Sequence, residues 1–193
     1  MDDFLHYCVN KLKSKNEKQN IIDEVYDEFL IHKDYGTALV HCCALCTNNQ
    51  QIGDACQELA CRVFGWKDVH SDNTFYGDCL VYNQVIEVKS SCPPKSGFRI
   101  GQLQDNPNYW ETPLFCQYFD VNGFYGDSLS LYFFWFPTIK GFIDEFNPGV
   151  DQGRDGSGVR GFRSVPKKLF KGPFQNYRVT FEEILENRLS TAA

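Results

Sequence analysis

The chain has 193 residues, of which 42% are hydrophobic and 16% aromatic, and this composition is typical of a folded domain rather than a disordered chain. No apolar run approaches the roughly 20 residues that span a bilayer, so we expect no membrane partner. The formal net charge of −6 disfavours a polyanionic partner for the chain as a whole, although Arg and Lys concentrate between residues 152 and 178.

The N-terminal third predicts three helices. Residues 17–32 and 37–46 carry apolar side chains at helical spacing or in an apolar run, and a third helix begins at residue 53 or 54 and ends at Gly65. Nine cysteines, an odd number, and the lack of a secretory signal predict reduced thiols in a cytoplasmic protein. We expect the helical cysteines to pack in the core rather than bind zinc, because only Cys43 and Cys46 have ligand spacing.

The rest of the chain predicts mostly strands. Residues 75–81 and 85–90 predict a β-hairpin, and 99–105 a short helix or strand. The segments 115–121 and 129–136 predict further strands, 147–161 a long mobile loop and 181–189 a last helix. This order predicts an α/β fold in which helices flank a mixed central β-sheet, within a single domain covering residues 1–193.

Three charged residues lie within the predicted hairpin. A two-residue turn centred on residues 83 and 84 would place Asp78 opposite Lys89. Because alternate residues of a strand share a face, Asp78, Glu87 and Lys89 would project together. The other face would carry only apolar side chains, those of Cys79, Val81, Ile86 and Val88.

Two carboxylates on adjacent strands repel each other unless a cation lies between them. Mg²⁺ is commonly held by one or two carboxylates together with phosphate oxygens of a substrate. Such an ion polarises a phosphoryl oxygen and activates bound water. Lys89, on the same face, could steady the attacking water or the developing negative charge. The hairpin therefore predicts metal-dependent hydrolysis of phosphodiester bonds, with Mg²⁺ as cofactor and Mn²⁺ as a substitute.

Asp78 followed by Glu87-Val88-Lys89 resembles the active site of the PD-(D/E)xK nuclease superfamily, which includes many restriction endonucleases and Holliday-junction resolvases. The segment from Gly53 to Glu58, followed by Gly65-Trp66, is similar to the helix that precedes the core hairpin in many members. Gly77 stands where the name of the superfamily has proline.

The resemblance implies a restriction-endonuclease-like core at about residues 52–140. It implies that Asp78, Glu87, the Val88 carbonyl and Glu58 hold the metal, and that Lys89 acts in catalysis with the three carboxylates.

Two segments predict contacts with nucleic acid. Arg and amide side chains that can read base edges follow the active strand: Arg99, Gln102, Gln104 and Asn106. A Gly-rich basic loop at 147–172 is suited to closing on a phosphate backbone, with Arg154, Arg160, Arg163, Lys167 and Lys168.

These features favour a Mg²⁺-dependent endonuclease acting on double-stranded DNA, of the sequence-specific, type II-like restriction class. One site cuts one strand at a time, so double-strand cleavage implies a homodimer or a partner subunit. The alternatives are a structure-specific nuclease (a Holliday-junction resolvase, or a homing or repair nuclease) and an RNA-cutting viral endonuclease. Outside enzymes, the alternative is a nucleic-acid-binding module whose charged hairpin is incidental.

Overall fold

The structure, a computed structural model, describes residues 15–46, 49–69, 75–91, 97–126, 130–152 and 158–186. Within these segments the protein is mixed α/β, with helices and a mixed β-sheet, as predicted. The chain divides into two compact units, with the boundary between Gly65 and Trp66. The single domain covering residues 1–193 stays a prediction. No helix in the described segments is long and apolar enough to cross a membrane.

The first unit contains the three helices expected from the sequence: α1 Lys15–His32, α2 Tyr35–Leu45 and α3 Asn49–Phe64. The carboxylate of Asp34 caps α2 by accepting a hydrogen bond from the Thr37 amide. Gly65 follows α3 with a φ of 71°, the left-handed conformation that commonly ends a helix. Cys42, Cys56 and Cys61 are buried free thiols, which agrees with the expected core packing. Cys43 is disulfide-bonded, so the expectation of reduced thiols is wrong for that residue.

The second unit is built on a six-stranded sheet with the order β1-β2-β3-β5-β6-β9. The strands are β1 Lys67–Asp68, β2 Cys79–Val81, β3 Gln84–Ser91, β5 Leu114–Asp120, β6 Ser130–Phe136 and β9 Arg178–Val179. Only the β3/β5 pair is parallel among these neighbours, so the sheet is mixed. Residues 132–136 of β6 are all buried, which confirms the expected buried central strand.

A second, three-stranded sheet corrects the loop prediction. It has the antiparallel order β4-β8-β7, with β4 Ile100–Gln104, β7 Gly149–Gln152 and β8 Gly158–Phe162. The prediction of a long loop at 147–161 is therefore wrong where β7 and β8 lie. Residues 153–157 lie outside the described segments. The glycines suggested mobility, but a Cβ atom added at Gly161 would lie 2.8 Å from the Ile100 carbonyl oxygen. Glycine there permits close pairing of β8 with β4.

Short helices complete the second unit: α4 Ile139–Phe146, α5 Lys167–Lys171 and α6 Phe181–Leu185, with 3₁₀ turns at Pro107–Tyr109 and Pro173–Tyr177. The last predicted helix is present, although residues 187–189 lie outside the description. Neither α4 nor α5 was predicted, and α5 replaces the C-terminal part of the loop expected at 147–172.

An aromatic core covers one face of β5 and β6. The rings of Phe98 and Phe134 stack with centroids 5.8 Å apart, and those of Tyr125 and Phe170 with centroids 3.6 Å apart. Phe174 packs edge-on against Phe134. Aromatic pairs of this kind add about 0.5–1.5 kcal/mol each beyond the area they bury, so this cluster anchors the sheet.

Asp120 organises the turn that leaves β5. Its fully buried carboxylate accepts hydrogen bonds from the amides of Phe124 (2.9 Å) and Tyr125 (3.0 Å) and from the Tyr118 hydroxyl (3.1 Å). A buried charge is tolerated when donors surround it in this way.

We expect Asp120→Ala to lower the free energy of unfolding by about 2–4 kcal/mol, because it leaves two buried donors and one half-buried donor without their acceptor. Urea denaturation followed by tryptophan fluorescence measures the change. The matched control is Asp144→Ala, which removes an exposed carboxylate paired with Lys140 and should change stability by less than about 0.5 kcal/mol. Equal effects of the two substitutions would contradict the role given to Asp120.

Candidate active site

The charged hairpin is present as β2 and β3, but its register is shifted by two residues from the predicted one. Cys79 pairs with Ile86 and Val81 with Gln84, so the turn residues are Tyr82 and Asn83 rather than residues 83 and 84. Tyr82 and Asn83 have φ values of 47° and 69°, and a type I′ hairpin turn requires positive φ at both positions. A shift of two residues keeps the same side chains on each face of a strand.

Asp78 lies one residue before the paired part of β2, and the predicted pairing of Asp78 with Lys89 is wrong. Its amide donates to the Ile86 carbonyl at 2.8 Å, and its buried carboxylate accepts from the Val88 amide at 2.8 Å. The Glu87 amide bonds to Pro113, on the β5 side of β3. The backbone N–H and C=O groups of successive strand residues point alternately toward the two neighbouring strands. Those of Glu87 point toward β5, so the amide and the carbonyl of Val88 both point toward Asp78.

Glu87 and Lys89 form an ion pair within β3. The Lys89 ammonium donates to the Glu87 carboxylate, which is only 5% exposed. Burial by itself would lower the pKa of Lys89, but the charges of Glu87 and Asp78, with the hydrogen bond to Glu87, raise that pKa well above its usual range. Lys89 is therefore an ammonium at neutral pH, suited to donating hydrogen bonds and stabilising negative charge rather than to acting as a base.

Gly77 fixes the approach of the chain to Asp78. It has a φ of 155°, and an added Cβ atom would lie 2.8 Å from the Ile86 carbonyl oxygen and 2.7 Å from a methyl carbon of Val85. Proline, whose φ is held near −65°, could not adopt this conformation. The absence of proline here thus follows from the local backbone.

The oxygen atoms of Asp78, Glu87 and the Val88 carbonyl are of the chemical kind that hard divalent cations prefer. Asp78 and Glu87 are 7% and 5% exposed, and the Val88 carbonyl points to the same side as the Asp78 carboxylate. The described segments contain no group of three or more His, Cys, Asp or Glu side chains that could hold a metal ion. Mg²⁺ is commonly held by one or two carboxylates together with substrate phosphate oxygens, so two carboxylates could hold it.

Glu58, the third predicted carboxylate, lies in α3 of the first unit. Its side chain accepts hydrogen bonds from Arg62 at 3.0 Å and from Gln19 at 3.4 Å. Arg62 also bonds Asp23 at 2.6 Å, so Glu58 belongs to an ion-pair network between α1 and α3. Its role at the metal stays a prediction.

The residues predicted to read bases lie just before, within or just after β4. Arg99 and Gln102 are exposed, and Gln102 has a φ of 56° where the pairing of β4 with β8 shifts register. Gln104 is half-buried. The Asn106 side chain accepts from the Asn108 amide at 3.0 Å and so caps a 3₁₀ turn. Their contacts with bases stay predictions.

The predicted phosphate-binding residues have different environments. Arg160 bonds Asp105 at 2.9 Å and thereby lowers the pKa of that carboxyl, so it joins β8 to the end of β4. The Lys167 ammonium lies 4.8 Å from the centroid of the Phe124 ring. Arg163 and Lys168 are exposed, and Arg154 lies outside the described segments.

Sequence reasoning placed neither Tyr76 nor Tyr109 beside the carboxylates. The rings of Tyr76 and Tyr109 meet edge to face with centroids 5.4 Å apart, and Tyr76 is 47% exposed. Burial and then the charges of Glu87 and Asp78 raise the pKa of Tyr109, which places its phenol in the electrostatic field of the site. The position of Tyr76 two residues before Asp78 was a usable signal, but Tyr109 is distant in sequence.

We expect Gly77→Ala to lower the free energy of unfolding by about 1–3 kcal/mol, because the new methyl group meets backbone that cannot move cheaply. Chemical denaturation measures the change. Gly101→Ala is the control, since nothing lies within 4 Å of a Cβ atom at that exposed position. The account of Gly77 fails if both variants are as stable as wild type.

A double-mutant cycle tests the ion pair of Glu87 and Lys89. In the presence of a chelator, Lys89→Met should cost about 2–4 kcal/mol, because it leaves two buried carboxylates without a cation. Adding Glu87→Gln should restore part of the loss, with a coupling energy of about 1–3 kcal/mol. The exposed pair of Lys140 and Asp144 is the control and should couple by no more than about 0.5 kcal/mol. Additive losses at Glu87 and Lys89 would contradict the pairing.

Known proteins give no support for the expected family relationship. Neither protein-family models, nor curated proteins, nor solved structures give a match to this chain. The features that bear on function are therefore those of the β2–β3 hairpin, where two buried carboxylates lie near one ammonium.

Proposed function

We propose that this protein is a Mg²⁺-dependent endonuclease that hydrolyses phosphodiester bonds in DNA. The observation that carries the proposal is the pair of buried carboxylates, Asp78 and Glu87, beside the half-buried Lys89 on one β-hairpin. Burying two carboxylates beside a single lysine is costly when the residues serve stability alone. Recruitment of a divalent cation and a phosphate group gives this arrangement a use.

In this proposal Asp78, Glu87 and the Val88 carbonyl hold the ion. A divalent cation bound there would polarise a phosphoryl oxygen and acidify a coordinated water. The Lys89 ammonium, which pairs with Glu87, would donate hydrogen bonds toward the negative charge that develops on the phosphoryl group. The hydrogen bond from the Val88 amide keeps the Asp78 carboxylate in place before substrate binds.

The restriction-endonuclease-like core belongs to the same proposal. It is supported by the antiparallel run β1-β2-β3, which carries the charged residues, and by the parallel pairing of β3 with β5. The supporting geometry lies entirely within the second unit.

We also propose which form of DNA is cut. Exposed Arg99 and Gln102 are available to contact bases, and exposed Arg163 and Lys168 to contact phosphates. Sequence-specific cleavage of duplex DNA, of the type II-like restriction class, would use such contacts and a homodimer or partner subunit. Structure-specific cleavage is the second candidate, and the exposed ring of Tyr76 beside the carboxylates favours it.

The test is a cleavage assay on mixed-sequence plasmid, single-stranded and four-way-junction DNA, with and without Mg²⁺. We expect cleavage of at least one substrate that requires Mg²⁺, and a loss of about 100-fold or more in Lys89→Ala, because removal of one preorganised donor has that order of effect.

Lys67→Ala is the matched control in this assay, because Lys67 is an exposed lysine of the same sheet. It should retain the wild-type rate. Cleavage that persists in Lys89→Ala would point to a contaminating nuclease. If wild-type protein binds these substrates but cuts none of them with Mg²⁺ or Mn²⁺, the nucleic-acid-binding alternative replaces the enzymatic one.

A further inference from the structure

The segment of residues 109–113 attaches an aromatic pair to the carboxylate site. The Pro113 carbonyl accepts from the Glu87 amide at 2.9 Å, and the Thr112 hydroxyl donates to the Tyr76 carbonyl at 3.1 Å. The Thr112 amide in turn donates to the Tyr109 carbonyl at 3.0 Å. These hydrogen bonds hold Tyr76 and Tyr109 next to the chain segments that carry Asp78 and Glu87.

The two rings are arranged so that one supports the other. Tyr109 is half-buried and meets Tyr76 edge to face, at an interplanar angle of 71°, while almost half of the Tyr76 surface is open to solvent. The chain near Tyr76 is fixed by Gly77 and by the bond from Thr112. An exposed ring supported by a neighbour suits stacking with another planar group.

We propose that Tyr76, supported by Tyr109, stacks on an unpaired nucleobase next to the phosphate that is cut. This inference rests on the proposed nuclease function, because it takes the phosphate of the substrate to lie at Asp78 and Glu87. A nucleotide held there by its phosphate would place its base within reach of a ring only two residues from Asp78.

Stacking on Tyr76 restricts the class of substrate. In an uninterrupted duplex the faces of each base are covered by its neighbours, so stacking on Tyr76 requires an unpaired nucleotide. Single-stranded DNA, flaps, bulges and branch points supply one, whereas an intact duplex must rotate a base out of the stack at a cost of a few kcal/mol. The preferred substrate is thus DNA with an unpaired nucleotide beside the cleaved bond.

The experiment compares kcat/KM for the Mg²⁺-dependent cleavage of two DNA substrates. One is an uninterrupted duplex, and the other is the same duplex with one bulged nucleotide. Wild-type protein should prefer the bulged duplex by roughly tenfold or more. Tyr76→Ala should lose most of this preference, since stacking on an aromatic side chain changes affinity by about 5- to 150-fold per base. The loss should fall mainly on KM, because Tyr76 positions the substrate.

Two variants separate stacking from structure. Tyr76→Phe keeps the ring and should keep the preference. Tyr82→Ala removes another exposed tyrosine, 67% exposed at the far end of β2, and should behave as wild type. A wild-type enzyme that cuts both duplexes equally, or a Tyr76→Ala variant with the full preference, would overturn this inference and leave the nuclease function standing.

A binding measurement distinguishes this inference from the function on which it rests. Single-stranded DNA containing 2-aminopurine is titrated with wild-type protein in Ca²⁺, and stacking on Tyr76 should quench the fluorescence. Quenching that is lost in Tyr76→Ala and kept in Tyr76→Phe would support the stacking even if no substrate is cut. Equal quenching by all three proteins, or by none, would refute it.

Discussion

The candidate site depends on how three charges are compensated at the edge of a hydrophobic core. Lys89 donates to Glu87, and Asp78 accepts the amide hydrogen bond of Val88, so neither carboxylate is buried without a donor. The raised pKa of Lys89 keeps a positive charge there throughout the neutral range. Two negative charges and one positive charge remain, and a divalent cation together with a phosphate group complements that balance.

The surrounding fold holds this arrangement through the backbone. Gly77 lets the chain pass close to Ile86, and the parallel strand β5 begins beside Glu87. The aromatic core then lies on β5 and β6 and gives the active strand β3 a rigid neighbour. Tyr76 and Tyr109 are fixed by the same short connection that leads into β5, which links substrate positioning to the strands that carry the carboxylates.

Local sequence patterns predicted the helices of the first unit, the mixed sheet and the shared face of Glu87 and Lys89. They placed the turn one residue too late, at 83 and 84 instead of 82 and 83, because Asn83 can occupy either left-handed position of a two-residue turn. The pairing of β4 with β8 was missed because glycine signals both mobility and close approach, and Gly161 serves the second purpose. The neighbourhood of Tyr109 was not predictable, since it depends on contacts between residues distant in sequence.

The most direct test of the central claim is the binding of Mn²⁺ to wild-type protein and to Asp78→Asn in the presence of short DNA. The electron paramagnetic resonance signal of free Mn²⁺ measures this binding. The account predicts that wild-type protein binds at least one ion per chain that Asp78→Asn does not bind. If Asp78→Asn binds Mn²⁺ with the same stoichiometry and affinity, the buried carboxylates are not a metal site and the proposed chemistry is wrong.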